Sequence, residues 1–104
     1  MEPETARHFF ETLETRASGS SKAAGLNATY LFDVDGAGKW TVRVDDGDVH
    51  VTEGEEEADA TIQASEDTFM KIVRGEQNPT SAFMLGKLRV RGDMGKAMKL
   101  QQLF

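Results

Sequence analysis

Apolar positions recur with two different periods along this chain. Ala6, Phe9, Phe10, Leu13 and Ala17 fall at helical spacing, which predicts an amphipathic helix over residues 3–17. Pro3 suits its first turn, and Ser18-Gly19-Ser20-Ser21 stops it. The period then drops to two. Tyr30, Phe32 and Val34 alternate with Leu31, Asp33 and Asp35. After Gly36-Ala37-Gly38, Trp40, Val42 and Val44 alternate with polar residues, and after Asp46-Gly47 so do Val49 and Val51. The pattern predicts three strands in an antiparallel meander with one dry face and one wet face. Glu53–Glu57 reads as an exposed link. Ala58, Ala60, Ile62 and Ala64 then mark a fourth strand, whose small inward residues leave room for a close-packed helix or for a ligand.

The helical period returns at residue 65. Ser65 is an N-cap, Glu66 and Asp67 suit the positive helix end, and Phe69, Met70, Ile72 and Val73 form the apolar side up to Gly75. Asn78-Pro79 caps and opens another helix, Thr80–Leu85, which closes at Gly86. Leu88 and Val90 point inward from a fifth strand over Lys87–Arg91. Asp93 caps a last helix carrying Met94, Ala97, Met98, Leu100, Leu103 and Phe104. This order of elements predicts an α+β domain: a five-stranded, mostly antiparallel sheet covered on one face by helices. Its 104 residues suffice for one domain, taken as 1–104.

Charge and composition narrow the function classes. The formal charge of −6 argues against a phosphate-backbone partner, so no nucleic acid is expected. The charge is uneven: residues 45–67 hold ten acids and no Lys or Arg, whereas residues 86–104 hold five bases against Asp93 alone. Each stretch reads most simply as a solvated face. The absence of cysteine removes disulfides, thiolate metal sites and cysteine nucleophiles, and fits a reducing compartment. No apolar run approaches the ~20 residues of a membrane span, and the acidic N-terminus does not read as a secretory signal.

Candidate catalytic chemistry is sparse. His8 and His50 have no nucleophile or carboxylate paired with them in the pattern, and both are expected at the surface. Asp33-Val34-Asp35-Gly36 opens like a calcium loop but lacks the glycine and glutamate spacing that such a loop needs. Gly36-Ala37-Gly38 joins two strands and opens no helix, so it is not a phosphate loop. No metal, cofactor or enzymatic activity is expected.

Apolar surface on the C-terminal helices is abundant and pliable. Phe83, Met84 and Leu85 are consecutive and point around their helix in several directions, which predicts cover nearly all round. Met70, Met84, Met94 and Met98 come from three helices, and methionine fits irregular gaps and varied apolar partners. Core filling is one reading; a deformable apolar cavity for a lipid is the other.

From Ala58 onward the chain resembles the sterol carrier protein type 2 family of lipid-binding domains. The residues that carry the likeness are ADATIQASEDTFMKIVRGEQNP at 58–79 and AFMLGKLRVRGDMGKAMKLQQL at 82–103. The N-terminal half agrees in outline, through a helix and a glycine-turned meander containing Trp40. The resemblance implies a hydrophobic tunnel between sheet and helices that holds sterol, fatty acid, acyl-CoA or other lipid non-covalently. It implies no catalytic residue. The methionines would then line the tunnel and the last helix would cover its mouth. The chain ends Gln101-Gln102-Leu103-Phe104 rather than in a Ser-Lys-Leu address, so cytoplasmic rather than peroxisomal placement is expected, with a fatty acyl or isoprenoid ligand before a sterol.

The expected function is therefore a non-catalytic lipid carrier, with transient contact to a membrane or a lipid-handling enzyme and an open oligomeric state. Expected lining residues are Trp40, Ile62, Phe69, Met70, Val73, Phe83, Met84, Met94, Met98 and Phe104, with Phe9, Phe10 and Leu13 in the permanent core. Each buried methylene contributes about 0.8 kcal/mol, so ten supply roughly 8 kcal/mol before ordering costs. Arg89, Arg91 or Lys99 are candidates to meet a polar headgroup, although strand alternation sets both arginines opposite Leu88 and Val90. One rival is an interaction or accessory module with a filled interior and an exposed apolar helix. Another is an isomerase or hydrolase, which needs an ionisable group inside the cavity; Asp33 and His50, the nearest candidates, both face outward by pattern.

Overall fold

The computed structural model describes residues 5–17 and 25–99. The elements follow the two periods. Helix α1 spans Ala6–Ala17, and strands β1 (Asn27–Asp35), β2 (Gly38–Asp45) and β3 (Asp48–Glu53) form the meander. Strand β4 (Ala60–Ser65) leads directly into α2 (Glu66–Val73), followed by α3 (Pro79–Met84), β5 (Leu88–Gly92) and α4 (Met94–Lys99). Local chemistry sets the junctions. Ser65 Oγ accepts from Thr68 N at 3.2 Å, Asn78 Oδ1 accepts from Thr80 N at 2.8 Å, and Asp93 Oδ1 accepts from Lys96 N at 3.0 Å. Each side chain satisfies an N–H that a helix start leaves without a partner. At the β2–β3 hairpin, Asp46 and Gly47 both adopt positive φ, the geometry that matches a two-residue turn to strand twist.

The sheet order is β3-β2-β1-β4-β5. Three pairings are antiparallel, while β1 and β4 run parallel. The parallel pair follows from the route of the acidic link. Leaving β3, the chain passes the polar side of β2, where Thr41 Oγ1 donates to Gly54 O and accepts from Glu56 N. It then reaches β1, where Asp59 N donates to Thr29 O. The link therefore crosses two strands and covers part of the nominally wet face. Thr41 and its register partner Leu31 are both buried beneath it. The exposed link expected from composition is exposed in its glutamate side chains but anchored through its backbone.

All helices that bear on the site contact the other face. There the inward residues form rows across the strands; one runs Trp40, Phe32, Ile62, Val90. Phe9, Phe10 and Leu13 of α1 are buried over this face, the permanent core expected of them. Ala6 N donates to Glu66 Oε2 at 3.1 Å, tying the start of α1 to the first turn of α2. Among the described residues, no helix is long and apolar enough to cross a membrane.

Candidate functional site

The row Trp40–Phe32–Ile62–Val90 has two kinds of cover. At one end, Phe10 stacks on Trp40 with centroids 4.7 Å apart and planes 15° apart. Phe10 also stacks on Phe69 at 5.4 Å and 19°, and Phe9 meets Phe69 edge-on. Arg7 lies 5.8 Å above the Trp40 ring and forms a two-pronged pair with Glu53. Glu53 holds the guanidinium more firmly protonated, and Arg7 in turn depresses the Glu53 carboxyl below its ordinary range. Aromatic faces fill this end, and Trp40 is buried among them.

At the other end the helices stand off the sheet. A cavity of about 240 Å³ lies there. Its floor is Phe32, Ile62, Leu88 and Val90, brought into line by the β1–β4–β5 register. Its walls are Phe69 and Ile72 of α2, Pro79, Thr80 and Phe83 of α3, and Met94, Ala97 and Met98 of α4. Phe32 and Phe69 border both regions, with one side in the aromatic cluster and the other on the cavity. Among the described residues no ionisable side chain lines the cavity, and the Thr80 hydroxyl is its one polar side-chain group.

Of the residues expected to line a lipid site, Ile62, Phe69, Phe83, Met94 and Met98 come together at this cavity. Trp40 sits in the aromatic cluster instead, because Phe10 occupies the space above its ring. Met70 is buried in the core, and Val73 is half-buried against it, about 100° round α2 from Ile72. Met84 points to solvent, with 79% of its surface exposed. Phe104 lies outside the described residues. Sequence reasoning missed Phe32, Ile72, Pro79, Thr80, Leu88, Val90 and Ala97 as lining, although it set Leu88 and Val90 on the inward face of their strand. Ile72 was detectable, since Phe69 and Ile72 share one helical face at i, i+3. Phe32 was not, because alternation identifies a dry strand face but not what lies above it.

The expectation that α3 is covered nearly all round is corrected by the structure. Only Ala82 of this helix is buried. Phe83 is 44% exposed and Leu85 67%. The helix has a single turn and a half, lies over the β5 edge strand, and has no neighbour on its outer side among the described residues. Met94 and Met98 on α4 are also exposed, at 45% and 67%. The room beside the small residues of β4 is used by the protein itself: Ala60 and Ala64 are buried without lining the cavity.

A small polar assembly holds α4 at its place on the cavity. Tyr30 is fully buried, and its hydroxyl donates to Lys96 O at 2.5 Å. Burial, and then the nearby Asp59 and Asp93 charges, push its phenol up to about 12. The Asp59 carboxylate accepts from Thr29 N at 2.8 Å and faces Lys96 Nζ at 3.4 Å. The Thr29 hydrogen bond, with Lys96 behind it, holds that carboxyl below its usual range. Gly92 completes the assembly: a Cβ there would come within 2.5 Å of Asp59 O, which accepts from Asp93 N at the start of α4. Arg89 and Arg91 pair in register with Gln63 and Thr61 on the sheet face opposite the cavity.

The sequence and the fold have known relatives. The SCP-2 sterol transfer family matches residues 10–104. The chain belongs to this family. It is 39% identical over 106 residues to Sterol carrier protein 2 of Homo sapiens, covering 94% of this chain and 19% of that protein. It is 38% identical over 80 residues to Hydroxysteroid dehydrogenase-like protein 2 of Pongo abelii, covering 73% of this chain and 19% of that protein. The chain thus spans about a fifth of the length of the curated relatives it matches. Among solved structures, the sterol carrier protein domain 2 of Helicoverpa armigera superposes with a TM-score of 0.76 at 31% identity, over 91% of this chain and 81% of that one.

Proposed function

We propose that the chain acts as one lipid-carrying domain over residues 1–104, without catalysis and without a cofactor. It holds one fatty acyl or isoprenoid chain in the cavity between β4–β5 and the three C-terminal helices. The observation that carries this reading is an apolar cavity, free of ionisable lining, in a member of a sterol transfer family. The cavity of about 240 Å³ is slightly below the roughly 300–1,000 Å³ usual for small-molecule sites. A ligand therefore enters by moving the wall, and the movable wall is made of unbranched Met94 and Met98 and the half-exposed Phe83. Apolar burial provides the affinity and cavity length sets a loose selectivity. With Arg89 and Arg91 on the far sheet face, Lys99, next to Met98 in sequence, is the one left of the three cations considered for a carboxylate headgroup. The cysteine-free chain supports a reducing, cytoplasmic compartment.

Titration with a fluorescent fatty acid tests the reading. Saturable binding at one molecule per chain, reversed by unlabelled fatty acid and detected by a change in Trp40 emission through Phe10 and Phe32, is the expected outcome. No uptake of fatty acyl, isoprenoid or sterol probes would end it. A second reading, a module that presents lipid within a larger assembly, is favoured by the length of the relatives. It predicts the same binding, together with capture of a lipid-handling enzyme.

A further inference from the structure

We propose that Met94 and Met98 form an oxidation site through which a peroxide empties the cavity: the two side chains hold lipid as thioethers and release it as sulfoxides. The release rests on the carrier reading; the site itself rests on burial and chemistry. The chain has five methionines and no cysteine, so thioether sulfur is its most readily oxidised group. Met1 lies outside the described residues. The other four stand in three different surroundings. Met70 is buried in the core. Met84 is exposed and does not line the cavity. Met94 and Met98 are exposed and line it as well. They lie four residues apart, on one face of α4. A small peroxide reaches them from solvent with the fold intact, whereas it reaches Met70 only if the core opens.

The oxidant is hydrogen peroxide. A sulfur lone pair attacks one peroxide oxygen, and an S–O bond forms as the O–O bond breaks. The departing hydroxide takes the proton of the transferred oxygen and leaves as water. Sulfur is oxidised by two electrons and the peroxide is reduced by two. The product is polar where the wall is apolar. A sulfoxide oxygen is a strong hydrogen-bond acceptor and brings no donor. Among the described residues the lining offers it the Thr80 hydroxyl and no ionisable group. A sulfoxide turned inward sets an unpaired acceptor against the acyl chain, and one turned outward takes its side chain out of the wall. Either way the lipid loses apolar contact. The fold is little disturbed, because α4 has no buried residue. Its tie to the sheet runs from the Tyr30 hydroxyl to the backbone at Lys96 O, which side-chain oxidation leaves alone.

The test treats the full chain with hydrogen peroxide, maps each sulfoxide by peptide mass spectrometry, and titrates a fluorescent fatty acid before and after. Met84, Met94 and Met98 should convert while Met70 stays reduced. Fatty-acid affinity should fall by roughly tenfold or more, with the denaturation midpoint nearly unchanged, and methionine sulfoxide reductases should restore it. Met84→Leu should lose affinity on oxidation as the wild type does. Met94→Leu combined with Met98→Leu conserves side-chain volume and removes both sulfurs. Whatever the starting affinity of this double variant, the ratio of its affinity after peroxide to that before should stay near one. If it binds no fatty acid, the wild type and Met84→Leu decide alone. Oxidised wild type that binds as before, a Met84→Leu variant that keeps its affinity through oxidation, a double variant that loses affinity as the wild type does, or Met70 converting as fast as the exposed methionines would each overturn the proposal. No uptake by the reduced wild type refutes the carrier reading, and the release with it; uptake that oxidation leaves unchanged refutes this proposal only.

Discussion

One sheet face carries two regions built on opposite terms. Under α1, the β3-β2-β1 half is closed: aromatic rings stack in register with the strands, and Phe9, Phe10, Trp40, Val42, Val44 and Val49 are all buried. Under α2, α3 and α4, the β4–β5 half keeps a cavity, and its cover is made of short helices with exposed methionines. The difference lies in the length and rigidity of the cover. A helix of 12 residues lays one continuous stripe along three strands, whereas helices of 8, 6 and 6 residues touch the sheet at separate points and bridge between them. Rings with two rotatable bonds fill space in one way; methionine fills it in several. The closed half supplies the stability that lets the other half stay unfilled.

The sharpest break of this contrast is Phe10→Ala. It removes the ring shared by Trp40, Phe32 and Phe69, and should cost about 3–5 kcal/mol in chemical denaturation, with a red shift of Trp40 emission. An equal loss of fatty-acid affinity with little loss of stability would show that the two halves are not divided as described. Second, Ala97→Trp places a large ring into the cavity from α4. Fatty-acid affinity should fall by more than about tenfold while stability changes by less than about 1.5 kcal/mol. A large loss of stability there would mean that the space is already filled.

Two smaller effects sharpen how the open half is held. Tyr30→Phe leaves Lys96 O without its donor, and should cost about 1–2 kcal/mol and speed amide exchange in α4. Because the folded Tyr30 phenol lies near 12, above its unfolded value of 10.0, its contribution is complete below the unfolded value and is lost as pH rises toward the folded one. The wild type should therefore lose stability above about pH 10 more steeply than Tyr30→Phe does. Asp59→Asn should have the smallest effect, under about 1 kcal/mol at neutral pH, since an amide oxygen can still accept from Thr29 N. The depressed Asp59 carboxyl stabilises the fold above its unfolded pKa and ceases to as pH falls through the folded one. The acid limb of the stability curve should thus be shallower in the variant.

Much of this was legible before any fold was known, because local patterns act locally. Alternation at Tyr30–Val34 and Trp40–Val44 identified the dry face, and Ser65, Asn78 and Asp93 marked their helix starts by the hydrogen bonds they now make. The parallel β1–β4 pairing had no local signal, since it depends on where the acidic link is anchored on Thr41 and Thr29. The cavity lining was legible only in part. Ile62, Phe69, Phe83, Met94 and Met98 share pliable or inward apolar character, and they meet there. Trp40 has the same character and differs only in having Phe10 above it, a contact between residues 30 apart in the chain that neither period records. The bare outer side of α3 was misread because consecutive apolar residues imply cover, and pattern does not say whether the cover belongs to this chain.

The central claim is that the β4–β5 half encloses fillable apolar space and the β3-β2-β1 half does not. Methyl-resolved NMR during titration with oleate tests it most directly. Saturable shifts at Ile62, Ile72, Leu88, Val90, Met94 and Met98, with Val42, Val44 and Val49 unmoved, is the predicted result. Methyl signals that stay fixed throughout, or that move alike in both halves, would contradict it.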